Sequence, residues 1–262
     1  MIFYGISDVG KMRRSNQDSF LVRELPGGVL LAVVCDGMGG ANGGAVASSV
    51  AAETFFARCE EQLRAALIEK GDLGRLSAGD YTAMLAHAVA DANYAVWKRG
   101  EEDATLHGMG TTLVAALIVG RDLYCVNVGD SRLYHIHRCR VTQVTHDHSL
   151  VQHLIDTGKL NLQEAKRYPN RNVITRAVGS EQNVPADIFT VCLSSAGGYI
   201  VLCTDGLTNY VDSERLLSVM AAESDVICTE EELRARAGEL IGLANDAGGS
   251  DNITVIAVGY SA

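Results

Sequence analysis

Runs of apolar residues divide the chain into segments that are typical of buried strands. Two of these runs stop at an Asp-Gly pair, at Asp36 and at Asp205, and a third opens directly after Asp251-Asn252. Their length and β-branched content predict strands inside a sheet. A carboxylate at the mouth of a buried strand is costly unless something positive meets it. The pattern therefore predicts three buried strands whose aspartates need a compensating charge.

Further apolar or alternating segments, separated by turn residues, predict the other strands. All predicted strands together cover residues 2–8, 19–23, 29–35, 112–119, 122–128, 132–137, 141–144, 186–192, 198–204 and 252–260. Apolar side chains at three- or four-residue spacing or cap residues predict helices at about 45–69, 81–99, 213–222 and 230–246. Thr229 and Glu232 have capping-box spacing at the start of the last helix, and Asp212 is the expected N-cap of the helix at 213–222.

The order of these elements indicates the fold class. Hairpin-linked strands outnumber the helices, and the helices come in blocks, which favours antiparallel sheets with helices outside over alternating βαβ units. We predict one α+β domain over residues 1–262, because no Pro/Ser-rich linker or long polar tract divides the chain. Residues 145–172 are polar with weak helical periodicity, and we predict that they form a flap-like excursion beside a site.

Composition agrees with an ordered globular protein and narrows the choice of partners. Hydrophobic residues make up 47% of the 262 residues, and only 3 residues are proline. Lys and Arg number 22 against 32 Asp and Glu, so the formal net charge is −10. An acidic chain disfavours nucleic acid or an anionic membrane as the main partner. No apolar run reaches the ~20 residues of a membrane span.

The 7 cysteines are scattered and form no Cys-x-x-Cys motif. Cys35, Cys125 and Cys203 lie inside apolar strand patterns, as buried thiols in a reducing compartment do. The first residues lack the basic start and long apolar stretch of a signal peptide. We therefore expect a cytoplasmic protein.

The first candidate chemistry is metal binding at the aspartates. Glycine after Asp36 lets the backbone turn sharply and approach a ligand, and the carbonyl of Gly37 can itself face a cation. In the functional interpretation, Asp36 bridges two metal ions; in the structural one, an Asp-Gly turn closes a strand. Asp205-Gly206 alone favours the turn. Several such aspartates on different strands, with Asp18 and Asp130 in similar settings, favour divalent cations.

Two further motifs combine arginine with aspartate. Residues 10–18 place Arg13 five residues before Asp18 in a segment that leads into a strand. A guanidinium group offers a fork that matches phosphate oxygens, although a solvated basic turn is the plainer alternative. Residues 129–132, Gly-Asp-Ser-Arg, also follow a strand, and there we expect Arg132 to pair with an acidic neighbour.

In order and approximate spacing, these motifs resemble the metal-dependent protein phosphatases of type 2C, especially the short bacterial form. The resemblance runs from about residue 4 to residue 260. The matching pieces are Arg13 with Asn16-Gln17-Asp18, Asp36-Gly37-Met38-Gly39-Gly40, Gly110-Thr111-Thr112, Gly129-Asp130-Ser131-Arg132, Thr175-Arg176-Ala177-Val178-Gly179, Asp205-Gly206-Leu207-Thr208 and Gly249-Ser250-Asp251-Asn252.

The resemblance implies a four-layer α/β/β/α sandwich, in which helices flank two central antiparallel β-sheets and metals bind in a cleft at one end. It implies that Asp36 bridges two ions and that the Gly37 carbonyl ligates one of them. Asp205 and Asp251 would complete the protein ligands of the first ion. Asp130, together with Asp205, would hold a weaker third ion.

The same resemblance assigns the chemistry. Arg13 would grip the substrate phosphate, and Asp18 would support the waters around the metals. All-oxygen sites suit Mn²⁺ or Mg²⁺, here two or three ions per chain, and two such ions make water a nucleophile at neutral pH. The implied reaction is hydrolysis of phosphoserine and phosphothreonine in proteins, opposing a Ser/Thr kinase.

Four residues depart from the family pattern or lack a role in it. Gln17 stands where the family usually has Glu, which weakens the expected support of water. Met38 replaces a His that many eukaryotic members carry as a proposed general acid. Asn209 stands where some relatives have an Asp for the third ion. His148 is a candidate acid by composition only, and a structural role is the favoured interpretation.

Two alternative functions stay open at this stage. One is a non-catalytic relative that binds phosphoproteins or acts as a sensor, supported only by Gln17 and Met38. The other is a metal-dependent phosphatase of small molecules. Pseudo-enzymes typically lose a metal ligand, and the retained Asp36, Asp205 and Asp251 therefore favour an active enzyme. Comparing rates on phosphopeptides with rates on sugar or nucleotide phosphates would separate a protein phosphatase from a small-molecule phosphatase.

Overall fold

The computed structural model describes residues 1–165, 168–221 and 229–261. The strands are β1 (Ile2–Asp8), β2 (Asp18–Leu25), β3 (Val29–Met38), β4 (Gly110–Thr111), β5 (Leu113–Val119), β6 (Asp122–Val128), β7 (Arg132–His137), β8 (Arg140–Gln143), β9 (Asp187–Cys192), β10 (Gly198–Cys203) and β11 (Ile253–Tyr260). The helices are α1 (Gly40–Lys70), α2 (Ala78–Glu102), α3 (Leu150–Asp156), α4 (Leu162–Ala165), α5 (Asp205–Thr208), α6 (Ser213–Met220) and α7 (Glu230–Asp246).

The strands form two sheets, and neighbouring strands in both pair antiparallel. One sheet has the order β1-β11-β10-β7-β8, and the other has the order β2-β3-β5-β6-β9, with β4 paired to the end of β3. Helices α1 and α2 cover the outer face of the second sheet. Helices α6 and α7 cover the outer face of the first. The predicted four-layer α/β/β/α arrangement is confirmed.

Strand β3 shows why its sequence is apolar without alternation. Even-numbered residues from Leu30 to Val34 face the other sheet, and odd-numbered residues from Val29 to Cys35 face the helices. Because successive side chains point to opposite faces, a strand covered on both sides is apolar at every position. Asp36 continues the even-numbered series, which directs it toward the gap between the sheets where β3 nears its end.

The caps predicted from sequence are present. Thr229 and Glu232 form a capping box at the start of α7, with hydrogen bonds in both directions. Asp212 caps α6 by accepting a hydrogen bond from the Arg215 amide at 2.9 Å. Each such cap stabilises its helix by roughly 1 kcal/mol, because it satisfies amides that have no partner inside the helix.

Helix α1 begins at Gly40 and not near residue 45, so the glycine-rich residues before the predicted helix start are already helical. Glycine carries no side chain that could show helical periodicity, and the first turn was therefore hidden in the sequence. Its glycines serve close packing instead. A Cβ on Gly44 would lie 2.7 Å from the carbonyl carbon of Gly37, so the helix and β3 approach each other more closely than any side chain allows.

The segment predicted as a surface excursion is anchored at its start. Thr145, Asp147, His148 and Ser149 are buried, so residues 145–149 belong to the packed body of the protein. Residues 166 and 167 lie outside the described part, as does residue 222 at the predicted end of α6. Within the described ranges, the helices include none that is long and apolar enough to cross a membrane.

Candidate active site

A cavity of about 570 Å³ opens where the gap between the two sheets ends. Its walls come from separate stretches of chain that the fold brings together. The lining residues are Arg13, Arg14, Ser15, Gln17, Asp36, Gly37, Met38, Gly39, Gly40, Thr112, Asp130, Asn172, Ile174, Asp205 and Asp251. The structure thus brings Arg13 and every predicted metal ligand together at the cavity, whereas Asp18 and the candidate acid His148 do not line it.

Strand direction explains why four aspartates meet here. Asp36 lies near the end of β3, Asp130 follows β6, Asp205 follows β10, and Asp251 precedes β11. β3 and β6 run in the same direction on either side of β5, and β10 and β11 pair antiparallel. In consequence, three strand ends and one strand start fall at the same edge of the sandwich.

The backbone around Asp36 is held from both sides. Its amide donates to the Thr112 hydroxyl at 2.9 Å, and its carbonyl accepts from the Thr112 amide at 2.9 Å and the Thr111 hydroxyl at 2.8 Å. The amide of Gly37 donates to the carbonyl of Gln17 at 3.1 Å. These bonds leave the Asp36 carboxylate as the group that faces the cavity.

Asp18 lies beside Asp36 in the β2–β3 ladder but does not line the cavity. One carboxylate oxygen accepts hydrogen bonds from the hydroxyls of Thr254 at 2.6 Å and Thr204 at 3.0 Å. Its other oxygen, Oδ1, is buried and has no partner among the described residues. Burial raises the pKa of Asp18, and the two threonine hydroxyls oppose that rise.

Burial also raises the pKa of three cavity aspartates. For Asp36 the second cause is the charge of Asp18, for Asp130 it is the charge of Asp205, and for Asp205 it is the charge of Asp251. Oδ2 of Asp205 accepts a hydrogen bond from Asn209 at 3.1 Å, while the buried Oδ1 has no partner in the described structure. Carboxylates gathered in this way repel each other unless a cation joins them.

The donor set fits a hard divalent cation. Orphaned buried oxygens on Asp18 and Asp205 are the sign of a missing positive partner. Across the described residues, no three His, Cys, Asp or Glu side chains already form a closed ligand set. Mg²⁺ and Mn²⁺ do not need one, because they keep several waters and also accept carbonyl oxygens. An open site built on few carboxylates therefore suits them better than it suits zinc.

Two arginines bring positive charge to the mouth of the cavity. Arg13 Nη2 donates to Oδ2 of Asp251 at 2.8 Å, and its side chain is 51% exposed. Arg14 also lines the cavity and forms no ion pair among the described residues. The arginine pair makes this mouth suitable for an anion, although the chain as a whole is acidic.

The residues that depart from the family pattern have distinct positions. Gln17 Nε2 donates to the carbonyl of Gly40 at 2.8 Å, a bond that a glutamate could not make. Met38 lines the cavity and carries no ionisable proton. Asn209 contacts Asp205, as described above. His148 is buried and its Nδ1 accepts a hydrogen bond from the Gly129 amide at 3.1 Å, contacts that favour the structural interpretation.

Sequence reasoning missed the threonines that hold the aspartates. Thr112, Thr204 and Thr254 are buried, and each hydroxyl contacts an aspartate backbone or side chain of the site. The available signal was the position of Thr254 and Thr204 beside aspartates at strand ends. Their side-chain direction follows from strand pairing, which the sequence alone did not show.

Comparison with known proteins gives consistent results. A sequence profile of the protein phosphatase 2C family matches residues 11–238. The serine/threonine phosphatase stp of Listeria monocytogenes is 34% identical over 252 residues, covering 96% of this chain and 93% of that protein. Protein phosphatase PhpP of Streptococcus pneumoniae is 32% identical over 254 residues, covering 97% and 95%.

Solved structures show the same likeness in three dimensions. The crystal structure of the serine/threonine phosphatase Stp1 from Staphylococcus aureus superposes with a TM-score of 0.86 at 31% sequence identity. The match covers 100% of this chain and 96% of that one. Fold and sequence similarity therefore extend over the whole length that carries the cavity.

Proposed function

The chain belongs to the protein phosphatase 2C family, and we infer that it is a protein serine/threonine phosphatase. Members of this family depend on Mn²⁺ or Mg²⁺. The observation that carries the inference is one cavity in which Asp36, Asp205, Asp251 and Arg13 meet. Carboxylates for cations and a guanidinium group for phosphate are the two parts that metal-assisted phosphoryl transfer requires.

The cavity residues support a specific division of metal ligands. Asp36 would serve both ions, the Gly37 carbonyl would serve one of them, and Asp205 with Asp251 would complete the protein ligands of the first. Asp130, which also lines the cavity, would contribute to a weaker third site. When bound, Mn²⁺ or Mg²⁺ supplies a water acidic enough to act as nucleophile and neutralises charge on the phosphoryl oxygens.

Arg13 and Asp18 serve the substrate and the water. The half-exposed Arg13 exchanges its bond to Asp251 for bonds to the substrate phosphate and holds it for in-line attack. Two threonine hydroxyls fix the Asp18 carboxylate behind Asp36, where it orients water. Met38 has no proton to give, so the leaving serine or threonine oxygen would take its proton from water or from another group.

We also propose the substrates, the opposing enzyme and the cellular location that fit this activity. Phosphorylated proteins are the substrates, and a Ser/Thr protein kinase is the opposing enzyme. A cytoplasmic location agrees with the cysteines, because the six described ones are free thiols. Cys228 lies outside the described residues.

The segment 145–172 stays a predicted flap, but its first residues, 145–149, are packed in the body of the protein and cannot move with it. Asn172, the last residue of the segment, lines the cavity, as does Ile174 two positions later. Exchanging residues 150–172 for those of a relative should change selectivity among phosphopeptides more than Mn²⁺ affinity. Selectivity measured by competition and affinity measured by calorimetry check this; lost affinity with constant selectivity would contradict it.

The proposed function is tested by phosphate release from a phosphothreonine peptide with Mn²⁺, with Mg²⁺ and with a chelator. We expect turnover that needs metal and disappears in Asp205→Asn. Sugar and nucleotide phosphates in the same assay test the small-molecule alternative, which preferential hydrolysis of those compounds would support. Folded protein that binds phosphopeptide and metal without releasing phosphate would overturn the enzymatic assignment.

A further inference from the structure

The loop that carries Arg13 has no helix or strand over residues 9–17, and backbone hydrogen bonds join it to the turn at Gly249. The amides of Lys11 and Met12 both donate to the carbonyl of Gly249, at 2.8 and 3.2 Å. A loop of this kind has many conformations available unless side chains tie it down.

The side-chain amide of Asn252 holds the loop through hydrogen bonds that involve both its nitrogen and its oxygen. Its Nδ2 donates to the carbonyls of Val9 at 2.9 Å and Ser15 at 3.0 Å. Its Oδ1 accepts from the amide of Gln17 at 2.8 Å. The residue is 3% exposed, so water does not replace these bonds readily. One buried side chain therefore fixes both ends of the loop.

The same residue contacts the carboxylate that pairs with Arg13. The backbone amide of Asn252 donates to Oδ1 of Asp251 at 2.9 Å, and Arg13 donates to Oδ2 of that carboxylate at 2.8 Å. The loop, the arginine and the aspartate thus share one anchor. The side-chain amide of Asn252 is engaged by backbone groups, which leaves it no direct part in phosphate binding.

We propose that Asn252 is a positioning residue that sets the Arg13 guanidinium at a fixed place relative to the cavity carboxylates. The proposal rests on the phosphate-binding role given to Arg13. A loop held before substrate arrives loses little freedom on binding, whereas a loosened loop must be ordered by the phosphate itself. Loosening therefore weakens substrate binding through Arg13 while leaving the aspartates in place.

The chain contains a closely matched control in Asn93. This residue is 1% exposed, donates to the carbonyls of Glu181 at 3.0 Å and Gln182 at 2.9 Å, and accepts from the Gly179 amide at 2.7 Å. It makes the same three kinds of bond to a different loop. Asn93→Asp and Asn252→Asp remove equivalent Nδ2 donors but add a negative charge. Asn93→Ala and Asn252→Ala remove the same donors without adding charge, and they replace the aspartate variants if either of those fails to fold.

The first measurement is KM for a phosphothreonine peptide at saturating Mn²⁺. We expect Asn252→Ala to raise KM about tenfold, the result of losing hydrogen bonds that preorganise the loop, and Asn93→Ala to leave it within about twofold. In an Arg13→Ala background, Asn252→Ala should change KM by less than about twofold, because residues that act as a unit are not additive. Equal effects in both backgrounds would overturn the proposal.

The second measurement needs no turnover. Hydrogen exchange at the Lys11 and Met12 amides should be about tenfold faster in Asn252→Ala than in wild type, and unchanged in Asn93→Ala. Unchanged exchange at these amides in Asn252→Ala would show that the Asn252 side chain does not hold the loop. A wild-type protein that released no phosphate would contradict the proposed function, even if the exchange difference were present. Asn252 would then hold the loop without positioning a catalytic arginine, and the positioning role would also be wrong.

Discussion

Two groups of charged side chains lie near each other in this fold, and they differ in how completely their charges are compensated. Arg132 and Asp147 form a fully satisfied pair. Arg132 Nη2 donates to Asp147 Oδ2 at 2.6 Å, its Nε donates to both carboxylate oxygens at 3.0 Å, and Gln143 donates to Oδ1 at 2.8 Å. The remaining Arg132 nitrogen, Nη1, donates to the Tyr134 hydroxyl at 3.1 Å.

The aspartates at the cavity are compensated only in part, since Arg13 pairs with Asp251 alone among them. Oδ1 of Asp205 and, behind the cavity, Oδ1 of Asp18 are buried without a partner in the described structure. Burial and mutual repulsion raise the pKa of Asp36 well above its usual value. Natural proteins rarely leave buried charges unpaired unless a ligand completes them. The difference separates an ion pair whose contacts lie within the fold from the carboxylate cluster that we propose as the cation site.

The strongest way to test this comparison is to neutralise one cavity aspartate. Asp36→Asn should lower turnover about a thousandfold, because it removes the proposed bridging ligand for both ions. Stability in chelator should not fall, since the replaced charge has no partner. Phosphate release and denaturant unfolding measure the two effects. Full activity in this variant would remove the metal argument.

Breaking the Arg132–Asp147 pair should lower stability, whereas neutralising Asp36 should lower activity. Asp147→Ala leaves the partly buried Arg132 guanidinium without its carboxylate, and we expect the free energy of unfolding to fall by about 2 kcal/mol, as for lost hydrogen bonds to a charged group. Denaturant unfolding in chelator is the measurement. Asp91→Ala is the control, because Asp91 forms a similar 2.7 Å pair with Arg58 on an exposed surface, where such pairs add little. Equal losses in both variants would contradict the contrast.

Added Mn²⁺ should stabilise the folded protein by binding to the cavity aspartates and not at the Arg132–Asp147 pair. At a free Mn²⁺ concentration about 100 times Kd, binding to the folded state adds about 2.7 kcal/mol to the free energy of unfolding. We expect this gain in wild type and in Asp147→Ala, and its loss in Asp36→Asn. Thermal unfolding with and without Mn²⁺ shows the gain. A gain retained in Asp36→Asn would place the ion elsewhere.

The smallest effect is expected at Gln17. Gln17→Glu restores the residue usual in the family but removes the donor to the Gly40 carbonyl, so we predict a stability loss of about 1 kcal/mol. Activity at subsaturating Mn²⁺, compared with thermal unfolding, separates the two roles of this position. Higher activity without any loss of stability would show that residue 17 serves water around the metal instead of the helix start.

The order of elements and the motif set were readable from sequence because their signals are local. An apolar run such as 29–35 marks a strand covered on both faces, and Thr229 with Glu232 marks a helix start whatever the rest of the chain does. The same holds for the carboxylates, whose place at strand ends indicated cation binding. The start of α1 was wrong by about five residues because glycine has no side chain to show a period.

Only the tertiary structure decided which charged groups meet. Arg13 pairs with Asp251 across 238 positions of chain, and Asp18 accepts hydrogen bonds from Thr204 and Thr254 across 186 and 236. The sequence marked each of these residues or its neighbour as interesting but could not distinguish Asp18, behind the cavity, from Asp36, in its wall. That distinction depends on strand register and on the packing of two sheets, which are set by contacts between distant segments and leave no local pattern.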